Sequence, residues 1–171
     1  MKYQGLGNDY LVLDPNKNRI QLQGKKIALM CQRGFGLGAD GVLYGPVEIN
    51  GKMGVHIYNA DGSEAEMCGN GVRCVGKYVY DHGLTDKTEV TVETGAGIKV
   101  LILNVKDGKV DTVRVDMGEP AFGPAEIPVI AEGEMVVAAP ITVGDKEWKM
   151  TCVSMGNPHT VVFVDDVKHF P

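Results

Sequence analysis

Cys68 is the residue whose chemistry stands out first, set in the run Met67-Cys68-Gly69-Asn70-Gly71 and followed at helical spacing by Val72, Val75, Tyr78 and Val79. The spacing predicts a helix over 70–82, ended by Gly83 in the C′ position, and places Cys68 at or just before the first turn. Backbone N–H groups at that end have no intrahelical acceptor and form the positive pole of the helix, which favours a thiolate over a thiol. The same donors, on Gly69, Asn70 and Gly71, suit a carboxylate, and the glycines let a ligand close on the backbone. A thiolate beside a bound carboxylate is equipped to move a proton at an α-carbon. The competing reading makes Cys68 a small interior residue near a cap, and Cys74, inside the predicted helix, is assigned to the interior outright.

Other chemistries find less support. The four cysteines, Cys31, Cys68, Cys74 and Cys152, include no CxxC pair, and the four histidines are scattered, so neither a disulfide framework nor a metal site is expected. The segment Gly36-Leu37-Gly38-Ala39-Asp40-Gly41 satisfies G-x-G-x-x-G, but a dinucleotide site needs a strand before the glycines and a helix after them. Here a helix is predicted before and Val42-Leu43-Tyr44 continues as strand, so the segment reads as a tight helix-to-strand turn.

The 171 residues carry a formal charge of −5 without a basic run, which argues against nucleic acid as partner. No apolar stretch approaches the roughly 20 residues of a membrane span, and residues 1–14 lack the pattern of a signal peptide, so a cytoplasmic location and no membrane partner are expected. With 44% apolar residues the chain can supply a core.

The elements that must hold Cys68 are mostly strands. Apolar or alternating runs at 9–14, 41–44, 52–59, 89–93 and 98–105, then at 110–116, 134–142, 147–155 and 160–164, predict strands joined by turns such as Lys106-Asp107-Gly108-Lys109. A shorter helix is predicted over 25–33, ended by Gly34. Residues of the 70–82 helix that widen the apolar stripe, such as Cys74 and His82, imply that the sheet wraps it. The class is α+β, mainly antiparallel, and the glycines and prolines of 116–128 mark a break near residue 115.

Four motifs in this order resemble the diaminopimelate epimerase family: Gly5-Leu6-Gly7-Asn8-Asp9-Tyr10, Arg33-Gly34-Phe35-Gly36-Leu37-Gly38-Ala39-Asp40-Gly41, the stretch 59–74 around Glu66-Met67-Cys68-Gly69-Asn70-Gly71, and Ser154-Met155-Gly156-Asn157-Pro158-His159. The resemblance implies a pseudo-symmetric two-lobed fold, each lobe a sheet around a helix, with 1–114 as the first lobe and 115–171 as an incomplete part of the second. It implies epimerisation of diaminopimelate, a small-molecule substrate, by two cysteines on opposite faces of the α-carbon, without cofactor or metal. Carried over by position, Cys68 is the first catalytic cysteine, and Gly69 and Asn70 stand at the carboxylate-binding helix start. Asn8, Asn59 and Asn157 bind substrate, and His159 assists near the second base. Asparagines suit that task because an amide both donates to carboxylate and accepts from ammonium, although Asn8 and Asn59 also suit turn caps. Arg73 is expected to pair with an acid such as Asp61, Glu64 or Glu66.

The sequence also departs from the family. Gly41 stands where some members have a substrate-contacting glutamine, and the 171 residues contain neither the Ala-Cys-Gly-Thr-Gly motif of the second cysteine nor its accompanying Glu-Arg pair. The expectation is a half-site, completed by a homodimer or by a complementing carboxy-terminal half and inactive alone, with apolar surface exposed where a second-lobe helix would lie. A truncated binding module and a proline-racemase-like isomerase of the same fold remain the alternatives.

Overall fold

Residues 1–170 are described by a computed structural model, and the chain divides into two compact units, Met1–Asp116 and Met117–Pro171. In the first, helices α1 (Gly24–Cys31) and α2 (Gly69–Asp81) pack on an eight-stranded sheet. Its order is β1 (Lys2–Gly5), β2 (Asn8–Leu13), β3 (Gly41–Ile49), β4 (Lys52–Asn59), β6 (Glu89–Thr94), β7 (Gly97–Lys106) and β8 (Lys109–Val115), with the two-residue β5 (Glu64–Ala65) beside β4. Antiparallel pairing dominates, but β2–β3 and β4–β6 are parallel, so the sheet is mixed.

The sheet curls around α2, which touches β1, β2, β3, β4, β7 and β8. Apolar spacing explains the wrapping, because Val72, Val75, Tyr78 and Val79 are buried, and so are Gly71, Cys74 and Gly76. At Gly76 the helix lies so close to β7 that a Cβ would come within 2.9 Å of Leu101 Cδ1 and 3.0 Å of Leu103 Cδ2. The helix ends in a Schellman motif: Leu84 N–H bonds Val79 O and Gly83 N–H bonds Tyr80 O, with Gly83 at φ 67° as the left-handed residue.

Helix α1 covers the opposite face of β2–β3 through Ile27 and Cys31, packed on Leu11, Leu13, Ala39 and Val42. Strand β2 is therefore buried on both faces, with Tyr10 and Val12 in the core around α2. That double burial is why its sequence reads as a continuous apolar run and not an alternation. At its end Asp14, 2% exposed, accepts the Tyr78 hydroxyl at 2.9 Å and the Asn16 N–H at 2.9 Å, tying β2 to α2.

The second unit holds an antiparallel sheet in the order β11 (Pro158–Val162), β10 (Lys146–Ser154), β9 (Ala139–Val143). Its buried core is Ile127, Val136 and Cys152. Trp148 and Phe170 meet edge-on, with ring centroids 4.8 Å apart, while Phe163, Val167 and Ile130 are exposed.

Most predicted elements form within a few residues of the expected limits. The exceptions are 41–44, where β3 runs on to Ile49 through an irregularity between Tyr44 and Val47, and 134–142, where the strand begins only at Ala139: Ala138 has φ 49°, which interrupts extended backbone, and Val136 before it is buried and accepts the Cys152 N–H instead. Strands β1 and β5 are additions to the sequence reading. No helix among the described residues is long and apolar enough to cross a membrane.

Candidate active site

Cys68 is the N-cap of α2, in extended backbone at φ −145° and ψ 112°. Its Sγ takes the role that a serine or aspartate oxygen has in an ordinary cap, accepting the Gly71 N–H at 3.3 Å. The N–H groups of Gly69 and Asn70 have no hydrogen-bond acceptor among the described residues, so the first turn offers two open donors beside the sulfur. The segment leading into the cap is anchored by Ala96 N–H to Glu66 O at 3.0 Å. Gly95 permits this approach, since a Cβ there would lie 2.8 Å from Glu66 Cα.

Strand β2 brings two side chains to the half-buried thiol. The Tyr10 hydroxyl donates to Sγ at 3.0 Å, and Asn8 Oδ1 accepts from Sγ at 3.7 Å. Asn8 is itself oriented: its Nδ2 donates to Asp40 Oδ2 at 3.0 Å, which turns Oδ1 toward the helix start, where Asn70 Nδ2 donates to it at 3.3 Å. Arg73 donates to Asn70 Oδ1 and, through Nε, to Gly69 O at 3.4 Å. That placement corrects the expectation of an ion pair with Asp61, Glu64 or Glu66, because one turn along the helix the guanidinium reaches back to polar groups of the first turn.

Behind Asn8 lies an ionic network. Arg33 bonds Asp9 Oδ1 at 2.7 Å and Asp40 Oδ1 at 2.8 Å, and Lys2 reaches Asp9 Oδ2 at 2.7 Å. The Arg33 hydrogen bond first, then that of Lys2, holds the Asp9 carboxyl well below the usual carboxylate range. The bond from Asn8 foremost lowers that of Asp40. Elsewhere burial dominates: it pushes the Cys74 thiol up to about 11 and raises that of Cys31, which leaves both mainly as neutral thiols near neutral pH.

Register sets a further row. Tyr10 pairs with Gly41 on β3, and Gly41 pairs with Asn59 on β4, so the three occupy one line across the sheet on the same face. Asn59 is exposed, and its Nδ2 donates to Ser63 Oγ at 3.0 Å within the turn that follows. In the second unit the exposed Asn157 and His159 contact each other, with Nε2 and Oδ1 3.1 Å apart, next to Gly156 at φ 90°. The structure thus gathers Cys68, Gly69, Asn70 and Asn8 around one sulfur, puts Asn59 on the row of Tyr10, and pairs Asn157 with His159 separately.

Tyr10 and Asp40 join the cluster without being singled out by the sequence reading, and Arg73 joins it although the sequence reading places it elsewhere. Asp40 and Tyr10 lie inside the glycine-rich motifs, which were the available signal. Among the described residues no three His, Cys, Asp or Glu side chains converge as a metal site would require.

A family profile described as diaminopimelate epimerase matches residues 1–123. A diaminopimelate epimerase of Agathobacter rectalis is 54% identical over 99% of this chain and 62% of its own length. One from Leptospira biflexa is 48% identical over 99% of this chain and 61% of its own. The chain therefore spans about three fifths of the length of the curated relatives it matches. Among solved structures, a hydroxyproline epimerase from Agrobacterium vitis has a TM-score of 0.59 at 19% identity, covering 81% of this chain and 39% of that one. A Bacillus anthracis phenazine biosynthesis protein of the PhzF family has a TM-score of 0.58 at 17% identity, covering 94% and 51%. These two share the fold, whereas the profile and the close relatives decide the lineage: the chain belongs to the diaminopimelate epimerase family.

Proposed function

We propose that this chain carries one half of a cofactor-independent epimerase site for diaminopimelate, with Cys68 as one of two proton-transferring thiols. The observation that carries the reading is the Cys68 sulfur at the cap of α2, contacted by Tyr10 and Gly71 donors beside the open N–H groups of Gly69 and Asn70.

The chemistry follows from that juxtaposition. An α-proton is far less acidic than any side chain, so its removal needs the developing charge to be stabilised at the substrate carboxylate by donors already in place. Gly69 and Asn70 supply those donors. In one direction the Cα–H bond breaks, the proton passes to Cys68 Sγ, and the electron pair spreads into the carboxylate. A second thiol then delivers a proton to the opposite face. In the reverse direction Cys68 is the donor.

Asn8, Asn59 and Asn157 contact the substrate in this reading, and His159 assists near the second base. Asn8, whose donor side is engaged by Asp40, turns Oδ1 to the helix start, where a substrate ammonium would replace one of its two donors, Cys68 Sγ or Asn70 Nδ2. The second thiol is supplied by a homodimer partner or by a carboxy-terminal half, and the site lies in a cytoplasmic enzyme.

The test is α-deuteration of diaminopimelate in heavy water, followed by NMR, with the 171-residue chain and with the polypeptide at its natural length. Exchange in the natural-length protein that disappears in Cys68→Ala is the expected result. Exchange retained in Cys68→Ala would end the assignment. Exchange by the 171-residue chain alone would mean that this half-site binds and deprotonates substrate by itself.

A further inference from the structure

We propose that Tyr10 is a positioning residue for the proton transfer, its hydroxyl holding the Cys68 sulfur as a hydrogen-bond acceptor and so favouring the thiolate. The inference rests on the assignment of Cys68 as a proton-transferring thiol and adds a second side chain to that step.

The geometry is specific to a tyrosine. The ring is 6% exposed and belongs to the core around α2, yet its hydroxyl emerges at the half-buried sulfur, 3.0 Å away. A phenylalanine would fill the same core volume and leave the sulfur with the Gly71 N–H as its one remaining protein donor among the described residues. Space for the ring comes from the neighbouring strand. A Cβ on Gly41 would stand 2.8 Å from Tyr10 Cε1 and 2.3 Å from Tyr58 O, so the missing side chain at 41 leaves the path along which the ring reaches the cap of α2.

The direction of the bond matters. Burial first, then the bond to Cys68, raises the Tyr10 phenol above its ordinary range, so it remains a donor wherever a thiol titrates. A donor to sulfur stabilises S⁻ more than S–H. The same contact therefore populates the base in one direction of epimerisation, and in the other it stabilises the thiolate left after Cys68 has given up its proton. No proton leaves Tyr10 in either case.

The rate of Cys68 alkylation by iodoacetamide, read by peptide mass spectrometry across pH, tests this in the natural-length protein without substrate. In Tyr10→Phe the rate at neutral pH should fall about 10- to 100-fold, the population change that matches loss of one hydrogen bond to a charged acceptor. The two curves should converge at alkaline pH, where the thiol is ionised in both proteins. A merely structural contact would instead displace the rate by a similar factor throughout. Curves that superimpose would overturn the proposal.

If Tyr10→Phe does not fold, 3-fluorotyrosine placed at position 10 keeps the ring and sharpens the donor. Its curve should move to lower pH, and an unmoved curve would overturn the proposal as well. Substrate deuteration separates the two ideas. Superimposed alkylation curves with Cys68-dependent exchange intact remove Tyr10 alone, whereas a displaced curve without exchange removes the epimerase reading and with it the role of Tyr10 in proton transfer.

Discussion

The two units each carry polar residues where an element begins, but they hold them in different ways. Cys68, at the start of α2, is contacted from β2 by Tyr10 and Asn8, and Asn8 is fixed in turn by Asp40 at the entry to β3. Asn157 and His159, around the start of β11, are exposed and bond each other across two residues. The first arrangement is assembled from distant parts of the chain around a wrapped helix. The second is local, in a unit whose buried core is three side chains. Preorganisation by long-range packing thus belongs to the Cys68 cluster, whereas Asn157 and His159 rest on a contact with each other.

Replacing Cys68 probes the assembled side hardest. Cys68→Ala should lower α-proton exchange by about 10³-fold or more while costing only about 1 kcal/mol of stability through the lost cap, measured by deuterium incorporation and urea unfolding. A large loss of stability with little loss of exchange would invert the meaning of the cap.

Next in size is an alkaline effect. Burial raises the Cys74 thiol from about 9 to about 11, so its contribution to stability is complete below pH 9 and is lost as pH rises through 11. Roughly 2 kcal/mol should disappear over that interval and should be missing from the pH dependence of Cys74→Ala, compared by urea midpoints at pH 8.5 and 10.5. Buried tyrosines add their own alkaline loss in both proteins, so the difference between them is the quantity that reports Cys74.

A packing change follows. Gly76→Val drives a side chain into Leu101 and Leu103 and should cost about 1–3 kcal/mol, measured by thermal unfolding. The comparison is sharpened by the smallest effect. His159→Ala should leave stability within about 0.5 kcal/mol, since an exposed side chain with one local partner anchors little, while exchange falls measurably in the natural-length protein. A stability loss of several kcal/mol there would break the contrast between the units.

Much of the assembled side is legible in the sequence. Periodicity at Val72, Val75 and Val79 marks α2, Gly83 ends it, and the glycines after Cys68 place the thiol at its start. The strand over 9–14 is legible as an apolar run, although its burial on both faces emerges only with the packing of α1 and α2. What sequence reading does not reach is non-local: that Tyr10 meets Cys68 depends on the β2–β3 register and on the empty space at Gly41, and neither leaves a periodic trace. Arg73 misleads because acids crowd the preceding segment, whereas the helix turns its guanidinium back onto Asn70 and Gly69. The early start expected for β9 fails for a related reason, since Val136 is apolar and buried but is held by Cys152 outside the sheet register.

Strand β2 has one more consequence, visible in time instead of distance. It is covered on both faces and paired along both edges, to β1 and to β3. Its central amides, at Leu11, Val12 and Leu13, should be among the last in the chain to trade hydrogen for deuterium, opening only with the unit as a whole. Asn8 and Tyr10 ride on that slow segment, so the partners of the thiol keep their places through the local fluctuations that loosen the surrounding loops.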